Sequence, residues 1–272
     1  MKRALIIILL AIVANASLVA QTETNNKGFR VDYFTGFKAE GSLGYNFLIS
    51  DDKETQDLFQ TTIMGFGSGF ILDIISGRAS VDVFDIGWEK VNITLGVGYA
   101  ISKYRFAQNL VFGPDTVNGV TGTNVWIDEN PDHDYVNTFF GYGKSKIAYG
   151  TINFPLHANV KLGSFKLSAG PIIDLYVSGK HKRKYLENDK KIKDKVGNED
   201  FRNYDINKTK TGINMYVTHK SGISFGATYM LTPFFNSPLM NDVQEVRFSF
   251  GYSPPSFKGA GGKSPKDIIK SI

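Results

Sequence analysis

Between Phe29 and Ile49 the odd positions carry Phe29, Val31, Tyr33, Phe37, Leu43, Tyr45, Phe47 and Ile49, while the even positions carry Arg30, Asp32, Lys38, Glu40, Ser42 and Asn46. A period of two, with one apolar and one polar face, predicts a β-strand. The pattern returns over Val91–Ile101, Ile152–Leu162, Phe165–Val177, Ile223–Leu231 and Val246–Tyr252. A strand in a soluble domain averages about 5–6 residues, whereas one that crosses a membrane needs about 9–11. Many of these runs have the second length. The chain therefore reads as all-β and antiparallel. Its polar faces are unusually hydrophilic, with Asn153, His157, Asn159 and Lys161 on one run and Glu245 and Arg247 on another.

The connections sharpen this reading. A two-residue turn at Gly163-Ser164 pairs Leu162 with Phe165, Val160 with Leu167, Ala158 with Ala169 and Phe154 with Ile173, and on the other face Asn159 with Ser168 and Asn153 with Asp174. Like meets like throughout, and a one-residue slip would exchange the faces. A turn at Glu89-Lys90 pairs Ile86 with Ile93 and Phe84 with Leu95. A three-residue turn at Lys220-Ser221-Gly222 pairs Val217 with Phe225 and Met215 with Ala227, with glycine where such hairpins want a left-handed residue. Between the tight turns lie long polar stretches over about 109–145, 180–208 and 235–242. Short turns at one end and long loops at the other are what an outer-membrane β-barrel shows. The expected fold is thus a transmembrane antiparallel β-barrel over 21–252.

The segment Ile152-Asn-Phe-Pro-Leu-His-Ala-Asn-Val-Lys-Leu162, followed by Phe165–Tyr176 with its Ala169-Gly-Pro171 step, resembles the outer-membrane β-barrel domain family of Bacteroidota, called PorT-like. Thr94–Phe106 and the ending Arg247-Phe-Ser-Phe-Gly-Tyr252 are similar to it as well. The resemblance covers about 81–252. It implies a barrel in the cell outer membrane, and its members serve varied roles. The chain departs from the family in a tail, 253–272, that is Gly-containing and basic and is expected to be disordered.

Seven strands are expected from the one before Glu89 to Tyr252. An even total requires one or three more ahead of Val81. A turn at Lys38-Ala39-Glu40 would pair Phe37 with Gly41 and Tyr33 with Tyr45, and Leu58–Ile74 would supply a third. This makes ten strands the favoured count and eight the alternative. Either barrel is narrow enough for side chains to fill it.

The start of the chain has the layout of a secretory signal peptide over 1–20: Lys2 and Arg3, an apolar run Ala4–Val13, then small residues up to Ala20. Losing Lys2 and Arg3 takes the net charge from +5 to +3, too little to argue for nucleic acid. The absence of Cys excludes disulfides, thiolate metal sites and a cysteine nucleophile.

Candidate chemistry is sparse. Asp132-His133-Asp134 in the longest loop could bind a metal or polarise a water, but matches no ligand spacing. His157 shares a face with Asn159, Ser168 and Asp174, which offers a His–Ser pair or, more simply, a hydrogen-bonded lumen. Arg30, Asp32, Lys38, Glu40, Asp174, Glu245 and Arg247 also face the lumen, where buried charges must pair. No catalytic, cofactor-binding or metal-binding residue is assigned, and no cofactor is implied. The stretch 109–145 has a net charge of −4 and 180–208 a net charge of +4. They could clamp together, or the basic one could meet lipopolysaccharide phosphates. The expected protein is non-enzymatic, with a structural or interaction role carried by its outer loops: surface binding, envelope integrity or an accessory to secretion. Its expected partners are outer-membrane lipid, lipopolysaccharide and an envelope or surface protein. A narrow channel and a lipid- or peptide-hydrolysing enzyme are the alternatives.

Overall fold

The computed structural model describes residues 30–38, 41–59, 77–88, 90–134 and 143–252. The signal peptide expected over 1–20 and the tail over 253–272 lie outside them. No described helix is long and apolar enough to cross a membrane.

The chain is almost entirely antiparallel sheet. Strands β1 (Arg30–Lys38) and β2 (Gly41–Ile49) are followed by a short helix α1 (Lys53–Leu58), capped by the Asp52 carboxylate on the Thr55 amide. Then come β3 (Gly77–Gly87), β4 (Val91–Phe106), β5 (Leu110–Val117), β6 (Val120–Ile127), β7 (His133–Asp134), β8 (Lys144–Leu162) and β9 (Phe165–Glu187). After β10 (Lys190–Val196), a turn of helix α2 (Asn198–Phe201) and a 3-10 turn (Arg202–Tyr204), the chain closes with β11 (Thr209–His219), β12 (Ile223–Met230) and β13 (Gln244–Tyr252). The main sheet runs β1-β3-β4-β8-β9-β11-β12-β13-β2, with β7 and β10 attached to β9; β5 and β6 form a separate hairpin.

The hairpin registers read from the alternation are those observed. Leu162 lies opposite Phe165, Asn159 opposite Ser168 and Asn153 opposite Asp174. Ile86 faces Ile93, and Val217 faces Phe225. Gly163 (φ 56°) and Gly222 (φ 93°) occupy the left-handed region at their turns, where a side chain would be strained.

The first hairpin is different from the expectation. β1 and β2 do not pair across Lys38-Ala39-Glu40. Instead Phe37 lies opposite Val81 on β3, and Gly41 lies opposite Tyr252 on β13. Every pairing along the sheet path is antiparallel, so β1 and β2, at its two ends, run in the same direction. No residue of 38–40 favours a tight turn. The third extra strand, expected over Leu58–Ile74, begins at the last residue of α1, and residues 60–76 lie outside the described residues.

The long stretches 109–145 and 180–208 are also more ordered than loops. β8 starts at Lys144 and β9 continues to Glu187, both well past the apolar run. The hairpin β5–β6 turns at Asn118-Gly119, both with positive φ as a two-residue turn of this kind requires.

The two faces of the sheet are inverted relative to a soluble domain. Thr94, Asn153, Asn159, Asp174, Asn214 and Glu245 are buried, while Ile93, Leu156, Ile173, Phe225, Phe248 and Phe250 are exposed. Non-neighbouring strands meet across the buried side. Tyr104 on β4 and Tyr149 on β8 both donate to Glu245 on β13, and Asn46 on β2 donates to the Lys103 carbonyl on β4 at 3.1 Å. The sheet therefore curls with its polar face inward.

The β1 register predicts a cross-linking pattern in this cysteine-free chain. Phe37→Cys with Val81→Cys should oxidise readily, because directly opposed Cα atoms lie about 4.5–5.5 Å apart. Phe37→Cys with Gly41→Cys should not, because the two positions pair with different strands, Val81 of β3 and Tyr252 of β13. The opposite outcome would restore the hairpin.

Candidate functional site

At the loop-bearing end of the curled sheet, two layers stack in the interior. The lower is ionic. Glu245 and Asp174 are fully buried, Lys210 is 1% exposed and Arg247 only 13%. Lys210 Nζ lies 2.7 Å from Glu245 Oε2 and donates to Tyr149 Oη at 2.7 Å. Arg247 donates through Nη2 to Asp174 Oδ2 at 2.7 Å and through Nε to Glu245 Oε1. The Tyr104 and Tyr149 rings stack in parallel at 5.9 Å, and the Lys210 ammonium sits 4.0 Å from the Tyr149 centroid and 4.4 Å from that of Phe234. Each positive charge is thus held by a carboxylate and, for Lys210, by two ring faces.

The upper layer is the only cluster of buried apolar side chains found among the described residues, and the connecting segments build much of it. Phe59 follows α1, Phe112 comes from β5, Val125 from β6, Tyr204 from the 3-10 turn, and Phe234 and Phe235 from the β12–β13 connection. Phe112 packs on Phe59 (6.5 Å), Tyr204 (5.4 Å) and Phe235 (6.0 Å). These side chains form a cap over the ionic layer.

Below the ionic layer the interior is polar. His157 Nε2 meets Asn214 Oδ1 at 2.7 Å, Ser168 donates to Asn159 Oδ1 at 2.6 Å, and Asn159 donates to Thr94 Oγ1 at 3.1 Å. The expected interior face of His157, Asn159, Ser168 and Asp174 is therefore real, but Ser168 bonds Asn159. The amide atoms of Asn153 are buried without a protein partner, as suits a hydrated interior.

Of the seven charges expected inside, Asp174, Glu245 and Arg247 converge. Arg30, Asp32 and Lys38 are known here by register alone, opposite Gly87, Asp85 and Ser80, and Glu40 lies outside the described residues. Lys210 was not anticipated, because it follows a polar stretch and shares its polarity.

The acidic and basic stretches do clamp. Asp128 Oδ2 receives Arg183 Nη1 at 2.8 Å and lies 2.8 Å from His133 Nδ1, and Arg183 Nη2 bonds Asp194 at 2.8 Å. Asp132 is exposed. Among the described residues no group of three or more His, Asp or Glu could hold a metal. Beside this latch lies a cavity of about 350 Å³ bordered by Phe112, His181, Arg183, Asp194 and Tyr204. His181 stands 3.4 Å from Ser145 Oγ and 3.3 Å from Tyr204 Oη. Both distances exceed the 2.6–3.2 Å of a nucleophile–base pair. The arrangement can hold segments together and exclude solvent. No family model matches the chain, and no curated protein matches it.

Breaking the ionic layer should be costly. Lys210→Met and Glu245→Gln should each lose about 3–5 kcal/mol in denaturant unfolding, the cost of stranding a buried charge. The double variant should lose less than their sum, and strict additivity would show that the two do not interact.

Asp128 gives a pH handle on the latch. Burial works to raise its pKa, but the His133 hydrogen bond, the Asn130 amide and Arg183 more than offset this and hold it below the ordinary 3.8. A depressed carboxylate stabilises fully above its unfolded value and loses that contribution as pH falls through the folded one. Protection factors for amide exchange at 128–133, corrected for the intrinsic rate, should therefore fall as pH drops below 3.8, and Asp128→Asn should abolish that step.

Proposed function

We propose that the protein is an outer-membrane β-barrel of eight strands whose mouth is closed by its own connecting segments, with a structural or interaction role in the cell envelope carried by that outer end. The observation that carries this reading is the inversion of the faces. About twenty large apolar side chains on the main sheet are exposed, Phe225 at 59% and Tyr252 at 53% among them, whereas the interior holds asparagine, histidine and paired charges. Burying such a side chain is worth about 1.5–3 kcal/mol, so leaving this belt in water would cost tens of kcal/mol. The ionic layer, being paired, costs far less. An apolar surrounding outside the sheet resolves the imbalance.

The dimensions agree with a membrane. The exposed apolar run on β9, Phe165–Val177, spans roughly 40 Å along the strand. At a tilt of about 45° that becomes about 28 Å, near the apolar band of known outer-membrane barrels. Closure is supported by β1 and β2, which continue each other with two residues between them. Counted as one position of the barrel, β1 and β2 bridge β3 and β13 and give eight. Tight connections join β3 to β4, β8 to β9 and β11 to β12 at one end, and the cap sits at the other. The resemblance of 81–252 to PorT-like barrels points the same way, toward the outer membrane of a Gram-negative bacterium after removal of 1–20.

The aromatic cap and ionic layer favour an interaction protein over a channel. The mature chain from outer-membrane fractions should run faster unheated than heated on a gel and resist salt washing. A chain that shows no heat shift and washes off would overturn the barrel. In a planar bilayer the folded chain should pass no steady current, and Phe112→Asp with Phe235→Asp should introduce conductance steps. Steps in the unaltered protein would instead support the channel.

A further inference from the structure

Just beneath the ionic layer, five buried polar atoms have no hydrogen-bond partner among the described residues. They are Thr151 Oγ1, Asn153 Oδ1 and Nδ2, Asp174 Oδ1 and Asn214 Nδ2. All four residues are at most 1% exposed. Asn153 lies opposite Asp174, and Thr151 is its neighbour on the inward face of β8. Asn214 is two inward positions along β11 from Lys210, which lies opposite Asp174. The adjoining wall leaves room beside these atoms. On β4, Ile93, Val97, Tyr99 and Ile101 are exposed, so Gly96, Gly98 and Ala100 take the inward positions. Gly98 lies opposite Asn153, and Ala100 lies opposite Thr151. Beyond Gly98 the next strand offers only the buried Ser80. Three consecutive inward positions, roughly 14 Å of strand, thus carry no side chain larger than a methyl.

An eight-stranded barrel is just wide enough to be filled by side chains or to hold one small ligand. Buried polar atoms are costly to leave unmet, so the atoms themselves define what fits beside Gly98. Asn153 Nδ2 and Asn214 Nδ2 only donate, Asn153 Oδ1 and Asp174 Oδ1 only accept, and Thr151 Oγ1 does either. No net charge is on offer, because Arg247 holds Asp174 by its other oxygen and Glu245 holds Lys210. An ion would therefore lose its hydration for no counter-charge. A hydroxyl group donates and accepts at one atom, so several of them on a short carbon frame suit a wall of mixed donors and acceptors. The frame also has a surface to lie on. Pro155 and Ile172, both buried, face each other one inward step nearer the tight turns.

We propose that this hollow is a binding chamber for a small, uncharged, hydroxyl-rich molecule, a polyol or monosaccharide, which enters from the tight-turn end because the aromatic cap closes the other. The proposal rests on the barrel reading above and gives its interior a ligand.

The test uses the full mature chain, labelled with nitrogen-15, in neutral detergent, with the faster unheated band first established on the same sample. Glycerol, erythritol and glucose are titrated in turn while the asparagine side-chain amides are followed by NMR. Acetate and methylammonium serve as small charged probes. At least one of the three hydroxylated probes should shift the Asn153 and Asn214 amides and saturate, and neither charged probe should do so. Asn153→Ala should weaken that binding about tenfold, the loss of two hydrogen bonds. Gly98→Asn, which places a side chain in the hollow, should abolish it while the heat shift is kept. Thr151→Val, which keeps the shape and removes the hydroxyl, should weaken it severalfold and repeats the test should either of the others fail to shift on the gel. Ser224→Ala, buried nearer the tight turns, should leave it unchanged. No saturable shift with any hydroxylated probe, equal binding of a charged one, or unaltered binding in the folded chamber variants would overturn the proposal while the heat shift keeps the barrel. Loss of the heat shift in the parent chain would overturn the barrel itself.

Discussion

A single buried carboxylate organises the interior. Glu245 on β13 accepts from Tyr104 on β4, Tyr149 on β8, Lys210 on β11 and Arg247 on its own strand, and Arg247 passes the network to Asp174 on β9. Five strands converge on this group. An unpaired charge there would cost several kcal/mol, and a paired one is close to neutral against an apolar filling. What the network supplies is therefore register more than stability. A one-residue slip of any contributing strand would turn its polar side chain to the apolar exterior and strand the rest. The aromatic cap depends on this layer, because Phe234 rests on both the Lys210 ammonium and the Tyr149 ring.

Much of this was legible in the sequence wherever one face of a strand is apolar. Leu162 to Phe165 and Val217 to Phe225 could be paired by residue type alone, and the same alternation placed His157, Asn159, Asp174 and Glu245 on the interior face. It failed where parity carries no information. Phe37 and Gly41, or Tyr33 and Tyr45, are all odd-numbered, so a hairpin with a three-residue turn and a continuous strand give the same pattern. Only the pairing partners, Val81 and Tyr252, distinguish them.

It failed again where both faces become polar or local. Lys180-His-Lys-Arg-Lys184 has no apolar period, so the far half of β9 reads as a charged loop, as does β10. Lys210 has the same polarity as the loop it leaves. The cap residues Phe59, Phe112, Tyr204 and Phe235 lie far apart in sequence and meet only through tertiary packing, which no window of the chain displays. The Asp128–Arg183 contact was foreshadowed only by the opposite net charges of the two stretches.

The β8–β9 hairpin shows why those two failures have one cause. Below the register shift at Gly150–Thr151, its inner face carries Asn153, His157 and Asp174 and its outer face Ile152, Leu156, Ile173 and Val177. Above the shift, the inner face carries Ile147, Tyr149 and Tyr185 and the outer face Lys144, Lys146, Lys180 and Lys182. The same two strands exchange polar-in and apolar-out for the reverse within a few residues. Inside, the change follows the connecting segments that fill the mouth. Outside, the apolar side chains give way to lysine over the same few residues. On the proposed membrane reading, lipid would lie against the outer face up to Ile101 and Val177 and water would begin at Lys103 and Lys180. A soluble partner sheet would have to end at the same height on every strand, whereas a membrane does so by its nature.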